Sequence, residues 1–354
     1  LGQNNRTALS SPVQVPGQWA GVWTSNEGEG ANGGVKTDGT MWVWGFNSNG
    51  QLGVNDTAFR SSPVQIPGTN WPATQMRTGT YRSLAVKTDG TLWTWGRNSV
   101  GELGLNEGTV RHSSPTQVGT DTTWSSAAEK LDMGGNMMAA IKTNGTLWTW
   151  GEQSYGSLGL NQETPPGRSS PCQVGTNTNW KVITVFNQGM LAVKTDGTLW
   201  GWGANDNGEM GLNAPMFSTY SSPKQIGGNA TDWESVRATS AGIILATKTN
   251  GTLWSWGYNT FGYSGTNDRI VRSSPIQVGT DTTWDSISGA SGALMKVSKT
   301  DGTLWVWGRN SFGGVIPTSS NTHYSSPVQI PGTNWNTDLI GGTQYGIAVI
   351  TTAN

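Results

Sequence analysis

The sequence predicts an all-β chain folded as a seven-bladed β-propeller of four-stranded antiparallel blades, with about 52 residues to a blade. Three observations carry that expectation. The segment Ser-Ser-Pro-x-Gln occurs seven times, starting at Ser10, Ser61, Ser113, Ser169, Ser221, Ser273 and Ser325, at spacings of 51, 52, 56, 52, 52 and 52 residues. A Lys-Thr-Asp/Asn-Gly-Thr stretch occurs six times, beginning at Lys36, Lys87, Lys142, Lys194, Lys248 and Lys299. Each of these runs into a Trp-x-Trp pair: Trp42 and Trp44, Trp93 and Trp95, Trp148 and Trp150, Trp200 and Trp202, Trp254 and Trp256, Trp305 and Trp307. Short strands separated by turn signals at a fixed period are how a propeller reads in one dimension.

The hairpin comes first because its turn is written in the residues. Asp and Gly tolerate the positive φ that a tight hairpin turn demands. In the second unit a two-residue turn at Asp89-Gly90 sets Val86 opposite Trp93 and Leu84 opposite Trp95. A three-residue bulged turn instead slips the register by one and exchanges the two faces. The hairpin is followed by a Gly-rich turn, seen at Asn47–Gly53, Asn98–Gly104, Gln153–Gly159 and Asn205–Gly211. A single Trp follows each Ser-Ser-Pro segment: Trp19, Trp71, Trp124, Trp180, Trp233, Trp284 and Trp335. Of the 20 Trp, the pairs and singles account for all except Trp23. Periodic Trp reads as packing between blades, where an aromatic buries roughly 150–250 Å².

Blade number follows from alignment of the ends. The tail Gly346–Asn354 lines up with Ser83–Thr91, and Leu1-Gly2 with Leu103-Gly104. The expectation is therefore one propeller domain over residues 1–354, with six complete repeats and a seventh split between residues 1–14 and 325–354. That seventh blade lacks one Trp-x-Trp strand in this chain, and a segment of that kind is expected upstream of Leu1 in the encoded protein.

The pattern Trp-x-Trp-Gly-x-Asn-x-x-Gly-x-Leu-Gly, as at Trp42–Gly53 and Trp93–Gly104, resembles the regulator of chromosome condensation repeat family. The resemblance covers essentially the whole chain and implies a seven-bladed propeller. A nuclear member of that family exchanges nucleotide on a small GTPase and binds chromatin. This chain has no basic tail, and the family's His before the third strand is replaced, for example by Arg82-Ser83 and Met137-Met138. Its Lys-Thr-Asp-Gly-Thr-Leu-Trp wording is similar to bacterial and bacteriophage versions in secreted, cell-surface and virion proteins.

Composition narrows the chemistry. Charged residues are 12% of the chain, about half the usual share, and the net charge is −1. No basic field attracts nucleic acid, and no apolar run is long enough for a membrane-spanning helix. The lone Cys172 stands where other units carry Val, Thr, Lys or Ile, and no Cys/His cluster exists for zinc. The turn residues Asp38, Asp89, Asp196 and Asp301 alternate with Asn144 and Asn250, which fits turn chemistry better than calcium binding. The six hairpin Lys read as solvated strand positions. No convergent titratable groups are expected at the central opening, and neither a cofactor nor a catalytic residue is expected.

Function is expected where the units differ. The connection into each Ser-Ser-Pro segment varies most, and in one of them Met216, Phe217 and Tyr220 stand in an otherwise polar loop. With Arg111 and His112 of the equivalent connection, these are the candidate partner-binding residues. The expected function is a non-enzymatic interaction or structural module on a virion or extracellular assembly. It would bind a protein or a glycan as part of a larger assembly. A secreted or cell-surface binder or inhibitor is the alternative, and a small-GTPase regulator a third.

Overall fold

A computed structural model describes residues 2, 15–23, 31–72, 76–162, 167–239, 242–287, 294–309, 323–333, 335, 341–343 and 346–348. Six four-stranded antiparallel blades follow one another along the chain. Blade one is Trp19–Trp23, Ala31–Lys36, Met41–Gly45 and Arg60–Gln65 (β1–β4). Blade two is Met76–Thr78, Arg82–Val86, Leu92–Gly96 and His112–Gln117 (β5–β8). Blade three is Leu131–Gly134, Met137–Ile141, Leu147–Gly151 and Arg168–Gln173 (β9–β12). Blade four is Trp180–Phe186, Gly189–Lys194, Leu199–Asn205 and Ser218–Ile226 (β13–β16). Blade five is Trp233–Ala238, Ile243–Lys248, Leu253–Gly257 and Arg272–Gln277 (β17–β20). Blade six is Trp284–Ile287, Leu294–Lys299, Leu304–Gly308 and Tyr324–Ile330 (β21–β24).

The first strands of successive blades approach one another and form the inner wall, β5 beside β9, β9 beside β13, β13 beside β17 and β17 beside β21. The Ser-Ser-Pro strands lie at the opposite edge of each sheet, and each closes its own blade.

The expected seven blades are corrected to six. In place of a seventh, the described residues show a two-stranded ribbon, Gly341–Thr343 with Gly346–Ala348 (β25 and β26), and β25 approaches β1. The ribbon repeats the pairing of the first two strands of a blade and has no Trp-x-Trp strand beside it among the described residues. Ser325, placed by alignment in the shared seventh unit, lies in β24 at the outer edge of blade six. Of residues 1–14 only Gly2 is described, and residues 349–354 lie outside the described residues.

The hairpin register is the bulged one. Val86 pairs with Leu92, Ala85 with Trp93, Leu84 with Thr94 and Ser83 with Trp95. Lys87 N–H donates to Thr91 O and Gly90 N–H to Lys87 O, both at 2.9 Å, so the loop has three residues and ends on Gly90 at φ 79. An Asp-Gly pair serves either loop. The deciding group is Asp89, whose Oδ1 accepts Thr91 N–H at 3.0 Å and Thr91 Oγ1 at 2.6 Å. That holds Thr91 beyond the turn instead of opposite Thr88.

The core lies in the seams between blades. Five apolar clusters are described and each joins two neighbours, as where Met137, Ile141 and Leu158 of blade three pack on Trp180, Ile183 and Trp202 of blade four. The second Trp of each pair fills a seam. Trp95 and Trp150 are fully buried, and their indole N–H groups donate to Gln51 O at 2.9 Å and Glu102 O at 3.1 Å of the preceding blade. The Gly that ends the Gly-rich turn makes room for this ring: a Cβ on Gly53 or Gly104 would sit 2.7 Å from the Trp95 or Trp150 indole nitrogen. Two residues on, an Asn in the left-handed region locks the seam with its backbone. Asn55, Asn106, Asn161, Asn213 and Asn267 donate N–H to the Ser carbonyl of the next blade's outer strand, at 2.6–2.8 Å.

Candidate functional site

The strand directions give the ring two unlike ends. At one end lie the Thr-Asp/Asn-Gly turns and the connections from the outer strand of one blade to the inner strand of the next. At the other lie the connections between the first and second strands and between the third and fourth.

The turn end is uniform. In each of six hairpins the turn Asp or Asn accepts from the following Thr, and that Thr hydroxyl accepts the indole N–H of the first Trp of the pair, as in Trp93 Nε1 to Thr91 Oγ1 at 2.7 Å. The hairpin Lys is not a freely solvated position. Lys87 Nζ lies 4.5 Å from the Trp71 ring centroid and 4.2 Å from that of Trp93, and the same arrangement of a Lys over a single Trp and a paired Trp recurs in all six blades. Burial holds the Lys87 ammonium below its usual range. Cation–π attraction to two indoles offsets that cost, at about 0.5–2 kcal/mol per contact.

The loop end is irregular and more apolar. The large hydrophobic side chains exposed among the described residues are Phe59, Tyr81, Val100, Val110, Tyr155, Met216, Phe217 and Ile270. Every one falls in a connection at this end. Four of them, Phe59, Val110, Phe217 and Ile270, stand just ahead of the outer strands of blades one, two, four and five and are 54, 54, 80 and 61% exposed. Tyr155 and Phe217 are also held at φ 56 and φ 64. Bulky residues rarely adopt that conformation, and it costs on the order of 1–3 kcal/mol each.

The candidate residues divide. Met216 and Phe217 project from the loop, with Phe217 N–H donating to Asn205 O at 2.9 Å. Tyr220 does not project: it opens onto Gly203 in the sheet and packs against the clusters on both sides of blade four. Arg111 is exposed and donates to Ser48 O of blade one at 3.2 Å. His112 is a loop clamp, with Nε2 3.0 Å from Glu107 Oε2 and Nδ1 3.0 Å from Thr116 Oγ1. It occupies the place of Arg272, which pairs with Asp268 at 2.7 Å, and of Arg60, which pairs with Asp56. Repeat position explains His112, because Arg60 and Arg272 at the equivalent place also fold back on their own loops.

Sequence reasoning missed a convergence of charge on the inner strands. Arg77 Nε of β5 lies 3.6 Å from Asp132 Oδ1 of β9, and Asp132 Oδ2 accepts Val185 N–H of β13 at 2.8 Å. Burial, and next the charge of Arg237 on β17, lower the Arg77 guanidinium to about 10. Asp132 and Arg237 each interrupt apolar neighbours, in Leu131-Asp132-Met133 and Val236-Arg237-Ala238. Among the described residues no group of three or more His, Cys, Asp or Glu is placed to hold a metal ion, and no helix is long and apolar enough to cross a membrane.

Known proteins place these repeats. The model of the regulator of chromosome condensation (RCC1) repeat matches residues 38–86, 89–128, 144–186 and 196–242, and a second model of the same description matches 74–102. Similar sequences include the RCC1 domain-containing protein RUG3, mitochondrial, of Arabidopsis thaliana, 27% identical over 292 residues, covering 78% of this chain and 62% of that protein. The ultraviolet-B receptor UVR8 of Arabidopsis thaliana is 28% identical over 281 residues, covering 77% of this chain and 61% of that protein. The chain thus spans about three fifths of the length of these relatives. Human WBSCR16 shares the fold, with a TM-score of 0.78 at 17% identity over 96% of this chain and 89% of that one. So does yeast RCC1 (Prp20), solved bound to Kap60, with a TM-score of 0.76 at 18% identity over 92% of this chain and 80% of that one.

These relatives overturn the expected virion or extracellular placement and the virion-appendage function: they are eukaryotic RCC1-type proteins, one of them mitochondrial by name. The turn geometry, the Trp pairs, the glycine-lined seams and the matched repeats together make this chain a member of the regulator of chromosome condensation (RCC1) repeat family.

Proposed function

We propose that the chain is a non-enzymatic, protein-binding propeller that receives its partner on the loop end. The observation that carries this reading is the one-sided distribution of exposed apolar side chains: among the described residues all eight lie at that end. Interface centres are built from such apolar and aromatic anchors. Phe217 and Met216 are the leading anchors, and Arg111 contributes a charged group at the same end; Tyr220 and His112 support the loops that carry them. That a relative in fold, yeast RCC1 (Prp20), was solved bound to Kap60 supports a protein as the partner class.

The test is a pull-down from the source organism with cross-linking and mass spectrometry, run on three forms of the chain. The wild type and a turn-end variant, Thr88→Glu, should retain the same partner. The loop-end variant Phe217→Asp/Ile270→Asp should lose it while melting normally. Loss with Thr88→Glu and retention with the loop-end variant would refute the assignment.

A further inference from the structure

Three cavities recur at the same place in the fold, on the outer side of a seam. Those at blades three and four and at blades five and six have volumes of about 380 and 420 Å³, and one beside blade one about 370 Å³. All lie within the ~300–1,000 Å³ typical of small-molecule sites. Each is walled by the single Trp and the first paired Trp of one blade and by the Ser-Pro of that blade's outer strand: Trp180, Trp200 and Ser222-Pro223; Trp284, Trp305 and Ser326-Pro327; Trp19, Trp42 and Ser62-Pro63. Blades two, three and five carry the same residue set at Trp71 and Trp93, Trp124 and Trp148, and Trp233 and Trp254.

We infer that these seam cavities are a repeated binding site for neutral sugar rings, one pyranose to a seam. A pyranose presents one apolar face of C–H groups and a rim of hydroxyls, and the cavity offers the matching surfaces. Its aromatic wall is an indole left half-buried, Trp200 or Trp305, while the other paired Trp of the same strand is fully buried. Its polar rim carries amide and hydroxyl groups, Asn161, Gln173 and Ser222 at one seam and Asn267, Gln277 and Ser326 at another, where Asp268 and Asp281 also line it.

At the blade-six cavity the charge is matched, with Lys299 Nζ over both Trp rings and 2.8 Å from Asp281 and with Arg272 2.7 Å from Asp268, whereas Lys36 lines the cavity beside blade one and lies over Trp19 and Trp42. In the wall, the indole N–H of Trp180 and of Trp284 finds no acceptor among protein atoms. An unserved buried donor costs about 1–3 kcal/mol, which a ligand hydroxyl reaching it after a small movement of the wall would relieve. A proline-rich peptide is the other chemistry that aromatic grooves take. Separate cavities of this size, one to a blade, fit single rings better than a continuous extended chain.

The probes are glucose, galactose, mannose, fucose and N-acetylglucosamine, each tested by saturation-transfer NMR against the full chain, then as the same sugars displayed on a multivalent carrier. The variant is Ser62→Arg/Ser222→Arg/Ser326→Arg, which blocks three cavity mouths from outer-strand positions that are not buried. At least one sugar should bind weakly as a monomer. Display on the carrier should tighten it by about 10²-fold or more, because several equivalent sites act together. The triple variant should lose at least about tenfold of the carrier binding. If it melts abnormally, Gln173→Ala/Gln277→Ala replaces it, with the same loss expected. No sugar binding in the wild type, unchanged binding in the variants, or saturation transfer to a proline-rich peptide and to none of the sugars would each overturn the inference.

Discussion

The two ends of the ring are built by opposite rules. At the turn end the same five residue types make the same bonds in six blades, and Asn144 or Asn250 replaces Asp without altering them. At the loop end the third-to-fourth connections begin on a shared Gly-rich turn and then diverge, and bulky side chains are held out to solvent, Tyr155 and Phe217 in strained backbone. Repetition marks where the chain is stabilised, and departure from it marks where the chain is free to recognise something. Substitutions should therefore separate the ends by the kind of damage they do.

The largest effect should come from Trp71→Ala. It removes a 3% exposed ring that packs edge-on against Trp93 and Trp95 at 6.2 and 6.0 Å and carries the Lys87 ammonium. A cost of about 3–5 kcal/mol is expected in chemical denaturation. Gly90→Val should follow closely, since its Cβ would stand 2.0 Å from Thr122 O at a φ of 79. A penalty of at least about 2–3 kcal/mol is expected from the backbone alone, and a melt matching the wild type would remove the bulged turn from the account.

A smaller effect separates one turn from another. The Thr hydroxyl bond, first among the causes, holds the carboxyls of Asp38, Asp89 and Asp301 below their usual value of 3.8. Their folded-state pKa lies below the unfolded one, so their contribution is present above about pH 4 and is lost as pH falls through the folded value. Hydrogen exchange at pH 3 should show blades one, two and six opening before blades three and five, whose turns carry Asn. Uniform exchange across the ring at that pH would dissolve the distinction. Smallest of all, Phe217→Ser should change stability by no more than about 0.5 kcal/mol while reducing partner capture. A large loss of stability would reassign Phe217 to the fold.

Legibility in the sequence followed the same division. Hairpin, turn and seam residues could be read because each does one thing at a fixed spacing: Gly104 must clear Trp150, and Asp89 must hold Thr91. The register was not decided by the turn residues, because Asp-Gly suits a two- or a three-residue loop and only the Asp to Thr bonds choose between them. The blade count went astray because alignment detects strand-like residues in the tail, whereas a blade also needs partner strands, and among the described residues β25 and β26 pair only with each other. At the loop end, Met216 and Phe217 were visible as aromatic and apolar interruptions of a polar loop. Phe59, Val110 and Ile270 were not, since each belongs to a different connection and only the fold places them at one end. Arg77 and Asp132 stand 55 residues apart and meet through the closeness of inner strands, which no local pattern announces.

The Asn that closes each seam acts through its backbone N–H, and it is received by the carbonyl of a Ser that every outer strand supplies. Neither group reports which blade it comes from. The five described junctions are thus chemically the same junction, and a unit of about 52 residues can be duplicated, deleted or exchanged among them without creating a seam the protein has not already solved. The loop end changes with each such event while the joints do not. Variation in recognition is in this way uncoupled from the cost of remaking the scaffold.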